Sequence, residues 1–153
     1  MSLFDKVSAP DALAARLFNP LQSLFALGAR LFVSWQFLKA GYLKVTSWDS
    51  TLYLFENEYH TPVLSPHMAA VAGSFGELFF PTLLVLGLVS RLSAIGLFAV
   101  NAMAVISYSQ VLLADGSEAA LGQHILWGTL LVFLILYGPG KLSVDYLLER
   151  SRF

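Results

Sequence analysis

The chain has 153 residues, of which 57% are hydrophobic and only 12% are Asp, Glu, Lys or Arg, against about 25% charged in an average soluble domain. Nine basic and ten acidic residues leave a formal net charge of -1, and cysteine is absent. This excludes a disulfide framework, a thiolate metal site and a cysteine nucleophile, and it disfavours nucleic acid as a partner, so any redox chemistry must come from a bound cofactor or a partner subunit.

In chain order, Ser8, Pro10 and Asp11 resemble a helix start, and Leu13, Leu17 and Phe18 give it one apolar side, as expected of a short helix lying on the membrane surface. The first run long enough to cross roughly 30 Å of hydrocarbon covers about 21–43. It is too long, too late and too polar at Arg30 to be a signal-peptide core and is expected to stay in the mature protein. Trp48, Leu52, Phe55 and Tyr59 then recur at helical spacing with Asp49 and Glu56 turned away, which predicts an outer interfacial helix or a lid. Pro62 and Pro66 interrupt the chain before a second span at about 67–89. A third span follows at about 92–113 and a fourth at about 121–137, closed by Gly138-Pro139-Gly140. The expected fold is all-α: a polytopic membrane protein, residues 1–153 forming one domain, built as a four-transmembrane-helix bundle with short interfacial helices. Lys6, Arg16, Arg91, Lys141, Arg150 and Arg152 flank one side of these spans and only Lys44 the other, which places both termini in the cytoplasm and the bundle in a bacterial inner membrane.

Ionisable groups at the bilayer centre cost several kcal/mol and call for an explanation. Arg30, Glu77 and Asn101 lie near the middles of the first three spans, and at 1.5 Å per residue they share a depth. Arg30, Ser34, Phe37, Gly41 and Lys44 fall on one helical line, and so do Gly73, Glu77, Pro81 and Leu84. Ala94, Asn101 and Tyr108 align on the third span, and His124, Trp127, Gly128 and Leu131 on the fourth. An Arg30–Glu77 pair completed by Asn101 is therefore expected inside the bundle. The cluster either binds a ligand, with Arg30 holding an anionic or carbonyl oxygen and Glu77 as the protonatable partner, or simply fixes helix register; spacing does not separate the two.

Lys44, Tyr108 and His124 are secondary candidates. Lys44, on the inward line at the outer boundary, reads as an anchor in preference to a gate at the outer mouth, His124 as a histidine bonded near a wet helix end in preference to a ligand or proton relay, and Lys39 as a snorkelling residue outside the site. Glu56, His60, His67 and Met68 suggest a metal site only weakly, and no metal is expected. No facing histidine pair offers a haem its two axial ligands. The sequence designates no catalytic residue. Gly28, Ala29 and Gly96 would permit close helix contact, either within the bundle or in a homodimer.

Arg30 with Gly41-Tyr42-Leu43-Lys44, Glu77 followed by Leu86-Gly87-Leu88-Val89-Ser90-Arg91, and Gly138-Pro139-Gly140-Lys141-Leu142-Ser143-Val144-Asp145 together resemble the DoxX family of small bacterial membrane proteins. The resemblance runs from about Leu21 to Asp145. It implies a membrane subunit of a redox- or detoxification-associated system, because the family takes its name from the membrane subunit of a thiosulfate:quinone oxidoreductase. It also implies that Arg30, Lys44, Glu77 and Arg91 matter. The leading expectation is a non-catalytic subunit that holds a lipoquinone or similar amphipathic molecule near Arg30 and Glu77, carries no covalent cofactor, and docks a membrane or soluble redox partner. The alternatives are a non-enzymatic assembly or scaffold protein and a small transporter subunit.

Overall fold

The computed structural model describes residues 3–151, and before Leu21 it describes the side chains of Ala14 and Phe18 alone. Over these residues the chain forms α1 (Leu3–Thr46), α2 (Trp48–Asn57), α3 (Pro66–Leu86), α4 (Ser90–Ser107), α5 (Ser109–Leu112), α6 (Glu118–Tyr137) and α7 (Val144–Arg150). Helices α3, α4 and α6 are each long and apolar enough to cross a membrane. They turn Phe75, Phe79, Leu92, Ile95, Ile125 and Leu136 outward, a surface that hydrocarbon accommodates and water does not.

Local sequence explains the ends of these helices. Ser65 caps α3 by accepting a hydrogen bond from Met68 N–H, with Pro66 at the first helical position where no donor is needed. Gly87 ends α3 in the left-handed region at φ 69, a conformation that suits glycine. Gly138 follows α6 at φ 83, and Arg91 Nη1 donates to the last-turn carbonyls of Ile135 and Leu136 at 2.9 and 3.2 Å. Pro81 sits inside α3 without ending it.

Helix α1 packs on α3, α3 on α4, α4 on α6, and α6 back on α1. Neighbours in this ring run antiparallel, and α3 and α6 stand at diagonal corners. Val33, Leu84, Leu97, Leu131 and Leu134 are buried at its centre. One end of the bundle carries α2 and the other carries α7; they are called the α2 end and the α7 end below. Trp48, Leu52 and Phe55 form one face of α2, laid against Ala69 and Ala70 at the start of α3, and Tyr59, two residues past the end of α2, packs on the same cluster.

Two boundaries differ from the sequence expectation. Helix α1 runs unbroken from Leu3 through Pro20, so no separate surface helix precedes the first span; one proline removes a hydrogen bond without forcing a stop. The side chains of Leu13 and Leu17 lie outside the described residues. The third run is divided, because α4 stops at Ser107 and α5 follows Tyr108. The Ser107 carbonyl accepts from His60 N–H at 2.8 Å, so the loop after α2 takes an acceptor that a continuing helix would have used.

Close approach sets the α1–α3 interface. A Cβ added at Gly41 would lie 2.9 Å from Leu78 Cγ and 3.0 Å from Glu77 Cβ. Gly96 on α4 is covered by the Phe80 ring, which places it inside the bundle, whereas Gly28 is exposed with nothing near it. Substituting Gly41→Val should separate α1 from α3 and cost about 1–3 kcal/mol through overpacking. Thermal unfolding in detergent measures this, and an unchanged midpoint would contradict so tight a contact.

Candidate functional site

Arg30, Glu77 and Asn101 are all buried, but they do not meet. Glu77 pairs instead with Lys44, whose Nζ lies 2.8 Å from Oε1 and 2.7 Å from Oε2. Arg30 Nη1 donates to the Leu84 carbonyl at 3.4 Å and Nη2 to the Leu142 carbonyl. Asn101 joins His124, with Nδ2 donating to the His124 main-chain oxygen at 3.0 Å and Oδ1 2.9 Å from His124 Nδ1. The expected single cluster is thus three separate centres.

The cause is the register of α1 against α3, with side-chain direction adding to it: Gly41 faces Glu77 and Leu78 while Gly87 faces Arg30, so Arg30 lies about 16 Å along α1 from the level of Glu77. Side chains on an α-helix lean toward its N-terminus. The N-terminal part of α1 lies at the α7 end, so Arg30 leans that way, while α3 starts at the α2 end and Glu77 leans the other way. The two charges therefore stand at different depths, against the expectation of a shared one, and point away from each other. Lys44, near the last turn of α1, leans back into the bundle and meets Glu77, so it is an internal partner and not the expected boundary anchor. Lys39 Nζ lies 6.0 Å from the centroid of the Trp35 ring, away from this pair.

At the α7 end Arg30 belongs to a clamp. The Asp145 carboxylate accepts from Val89 and Ser90 N–H at 2.7 and 2.8 Å, and Asp145 N–H donates to the Gly87 carbonyl at 2.8 Å. Asp145 thereby satisfies the first donors of α4, where Val89 sits at a positive φ of 48, a costly conformation for a β-branched residue. Ser143 Oγ accepts from Tyr146 N–H to cap α7, and Ser23 Oγ accepts from Lys141 N–H. A Cβ at Gly87 would collide with the Arg30 guanidinium, so this glycine is required for space as well as for its backbone angle. A hollow of about 900 Å³ borders the clamp, walled by Ser23, Ser90, Arg91, Lys141 and Asp145 among others.

At the α2 end a cavity of about 520 Å³ lies among α1, α2, α3, α4 and α6, within the usual range for small-molecule sites. Phe37, Ala72, Gly73, Gly96 and Val100 are among its apolar walls, and Lys44, Glu77, Tyr108 and His124 all line it. Four of the six residues singled out in the sequence therefore face one space. Arg30 and Asn101 do not line it, although Asn101 holds His124 in place. The smaller cavity is the better site candidate, because its few polar groups converge within apolar walls, while Ser23, Arg91 and Asp145 at the larger hollow are engaged in joining elements.

Tyr59 and Thr61 also line this cavity, and sequence reasoning gave them no site role. Tyr59 stacks edge-on with Phe55 and Tyr108 at centroid separations of 4.8 and 5.0 Å. Burial, and then the neighbouring Tyr108, Glu77 and Glu58, push its phenol above the ordinary value, so it stays protonated as a donor. Thr61 Oγ1 is buried with no hydrogen-bond partner. The α2 stripe pointed to Tyr59; no pattern pointed to Thr61, which follows the helix in irregular chain. His67 packs edge-on to Trp48, and among the described residues no group of three or more metal-ligating side chains comes together.

Helices of this length and hydropathy, with Glu77 paired to Lys44 and Arg30 bonded to main-chain carbonyls inside the bundle, define a multi-pass membrane protein set in a lipid bilayer. The chain belongs to the DoxX family: the family model, described as DoxX, matches residues 25–110. That stretch contains Arg30, Lys44, Glu77, Arg91, Asn101 and Tyr108 but ends before His124 and the 138–145 loop. No curated protein and no solved structure matches the chain.

The clamp has a pH signature. Burial works to raise the Asp145 carboxyl, but the hydrogen bonds from Ser90 and Val89 and the Arg30 charge together hold it below the ordinary carboxylate range. A depressed folded value contributes stability that is fully present above the unfolded value of about 4 and is lost as pH falls through the folded value. Asp145→Asn should therefore lower thermal stability at pH 7 by about 1–2 kcal/mol, as loss of a helix cap does, and flatten the acid limb below about pH 4. Melting curves of the two proteins from pH 3 to 7 that run parallel would contradict the role given to Asp145.

Proposed function

We propose that this DoxX protein is a non-catalytic membrane subunit that holds a lipoquinone or similar amphipathic ring compound in the α2-end cavity and docks a redox partner. The observation that carries the reading is the Lys44–Glu77 ion pair set into an otherwise largely apolar cavity of about 520 Å³. Apolar walls suit a substituted ring, and an ion pair at membrane depth offers both a donor and acceptors to its oxygens. The buried Thr61 hydroxyl adds a polar atom that has no protein partner to satisfy it. On this reading the ligand-holding charges are Lys44 and Glu77, while Arg30 serves the clamp.

In the bilayer, α1 is the fourth span beside α3, α4 and α6. The α7 end, which carries Arg91, Lys141 and Arg150, faces the cytoplasm, and the membrane is a bacterial inner membrane. An assembly role is the second reading. It draws on the Arg30 and Asp145 clamp, which ties α1, the α3–α4 turn and α7 together.

Mass spectrometry of protein extracted gently from its own membrane tests the first reading. Wild-type protein should retain a lipoquinone near one per chain. Glu77→Gln should retain about tenfold less, the weight of one charge-assisted hydrogen bond, while eluting and melting as a folded protein. Equal lipoquinone in Glu77→Gln, or none in wild-type extracts that preserve known quinone complexes, would leave the assembly role as the better account.

A further inference from the structure

Hydrogen-bond polarity around His124 restricts what the cavity accepts. Asn101 Nδ2 lies 3.0 Å from the His124 main-chain oxygen, and a carbonyl oxygen only accepts. The amide is thereby oriented, and its Oδ1 must face His124 Nδ1, 2.9 Å away. An amide oxygen also only accepts, so Nδ1 carries the hydrogen, and in the neutral ring Nε2 is left with the lone pair. The Trp127 ring packs edge-on against the imidazole at 4.9 Å and helps fix its plane. Gly128, one turn further along α6, leaves room for the Asn101 amide, because a Cβ there would lie 3.4 Å from Nδ2. Asn101 is therefore a positioning residue for an acceptor on the α6 wall.

The α3 wall also presents acceptors. Both Glu77 oxygens accept from Lys44 Nζ, and each carboxylate oxygen has a further lone pair. Glu77 and His124 belong to the diagonal helices of the ring, with the apolar cavity walls between them. Lys44 places two of its three ammonium hydrogens on Glu77, and the Tyr108 phenol donates toward Glu58 Oε2 at 3.4 Å. The Tyr59 and Thr61 hydroxyls of the lining can donate or accept, so His124 Nε2 is the wall group that can only accept.

From these two acceptor walls we infer that the cavity takes its ring ligand in the hydroquinone form, with para hydroxyls that donate to Glu77 and to His124 Nε2, in preference to the quinone. This rests on the reading of the cavity as a lipoquinone site. A quinone brings two carbonyl acceptors and would leave His124 Nε2 without a donor on desolvation and Glu77 with its Lys44 bonds alone, whereas a hydroquinone donates to both. The selectivity lies in the direction of the hydrogen bonds, because the two forms differ little in size.

The test is equilibrium binding of a decyl-substituted benzoquinone, and of the same compound kept reduced by anaerobic dithionite, to the full chain in nanodiscs, with empty nanodiscs subtracted. The hydroquinone should bind about tenfold more tightly than the quinone, the effect of one unpaired acceptor. His124→Leu should remove most of that preference and leave quinone affinity within about twofold. Should that variant fail to fold, the wild-type comparison decides alone. Quinone binding as tight as hydroquinone binding would overturn the inference and leave the cavity reading standing. If neither form binds above the empty nanodiscs, both fall.

Discussion

A charged or polar side chain within hydrocarbon has no solvent to turn to, so each one must find its partner inside the protein. In this chain that requirement acts together with the lean of helical side chains toward their own N-termini. On the antiparallel helices α1 and α3, whose register sets Gly41 against Glu77 and Gly87 against Arg30, the two charges stand toward opposite ends. Arg30 leans toward the α7 end and finds the carbonyls of Leu84 and Leu142, and Glu77 leans toward the α2 end and finds Lys44. The bundle consequently has a clamp at one end and a lined cavity at the other.

The two ends make different use of their polar groups. At the α7 end, main-chain donors and acceptors are consumed in joining elements: Asp145 caps α4, Ser143 caps α7, and Arg30 ties the end of α3 to the loop before α7. At the α2 end the polar groups are arranged around a space. Gly41 permits the close α1–α3 contact from which Lys44 reaches Glu77, and Asn101 sets the orientation of His124. The stripe on α2 covers this end against Ala69 and Ala70. A rigid clamp at one end and a lined cavity at the other suit a subunit that holds a small amphipathic molecule.

Much of this was legible in the sequence. Hydropathy located the apolar runs because hydrocarbon selects composition over some 20 residues at a time, and helical spacing identified the Trp48, Leu52, Phe55 and Tyr59 face. Phase and depth singled out Arg30, Glu77 and Asn101 as buried. They failed to identify partners, because span midpoints and a helical wheel fix neither the register between two helices, which sets Gly41 and not Arg30 against Glu77, nor the end toward which a long side chain leans. The same omission made Lys44 look like a boundary anchor. Loop contributions were not readable either: Thr61 and the Leu142 carbonyl come from irregular chain, where no periodicity applies, and the end of α4 at Ser107 depends on a hydrogen bond from His60, far away in sequence. The motif pieces pointed to DoxX, and their role in the clamp emerged only when Arg30, Gly87 and Asp145 were seen together.

The central claim is that Glu77 is coupled to Lys44 and not to Arg30. Double-mutant cycles on thermal stability in nanodiscs test it directly, pairing Glu77→Gln with Lys44→Met in one cycle and with Arg30→Leu in the other. The structure predicts a coupling of about 1–3 kcal/mol for the Lys44 cycle, as for residues in direct contact, and additivity within about 0.5 kcal/mol for the Arg30 cycle. A strong Arg30–Glu77 coupling with an additive Lys44 cycle would contradict the account.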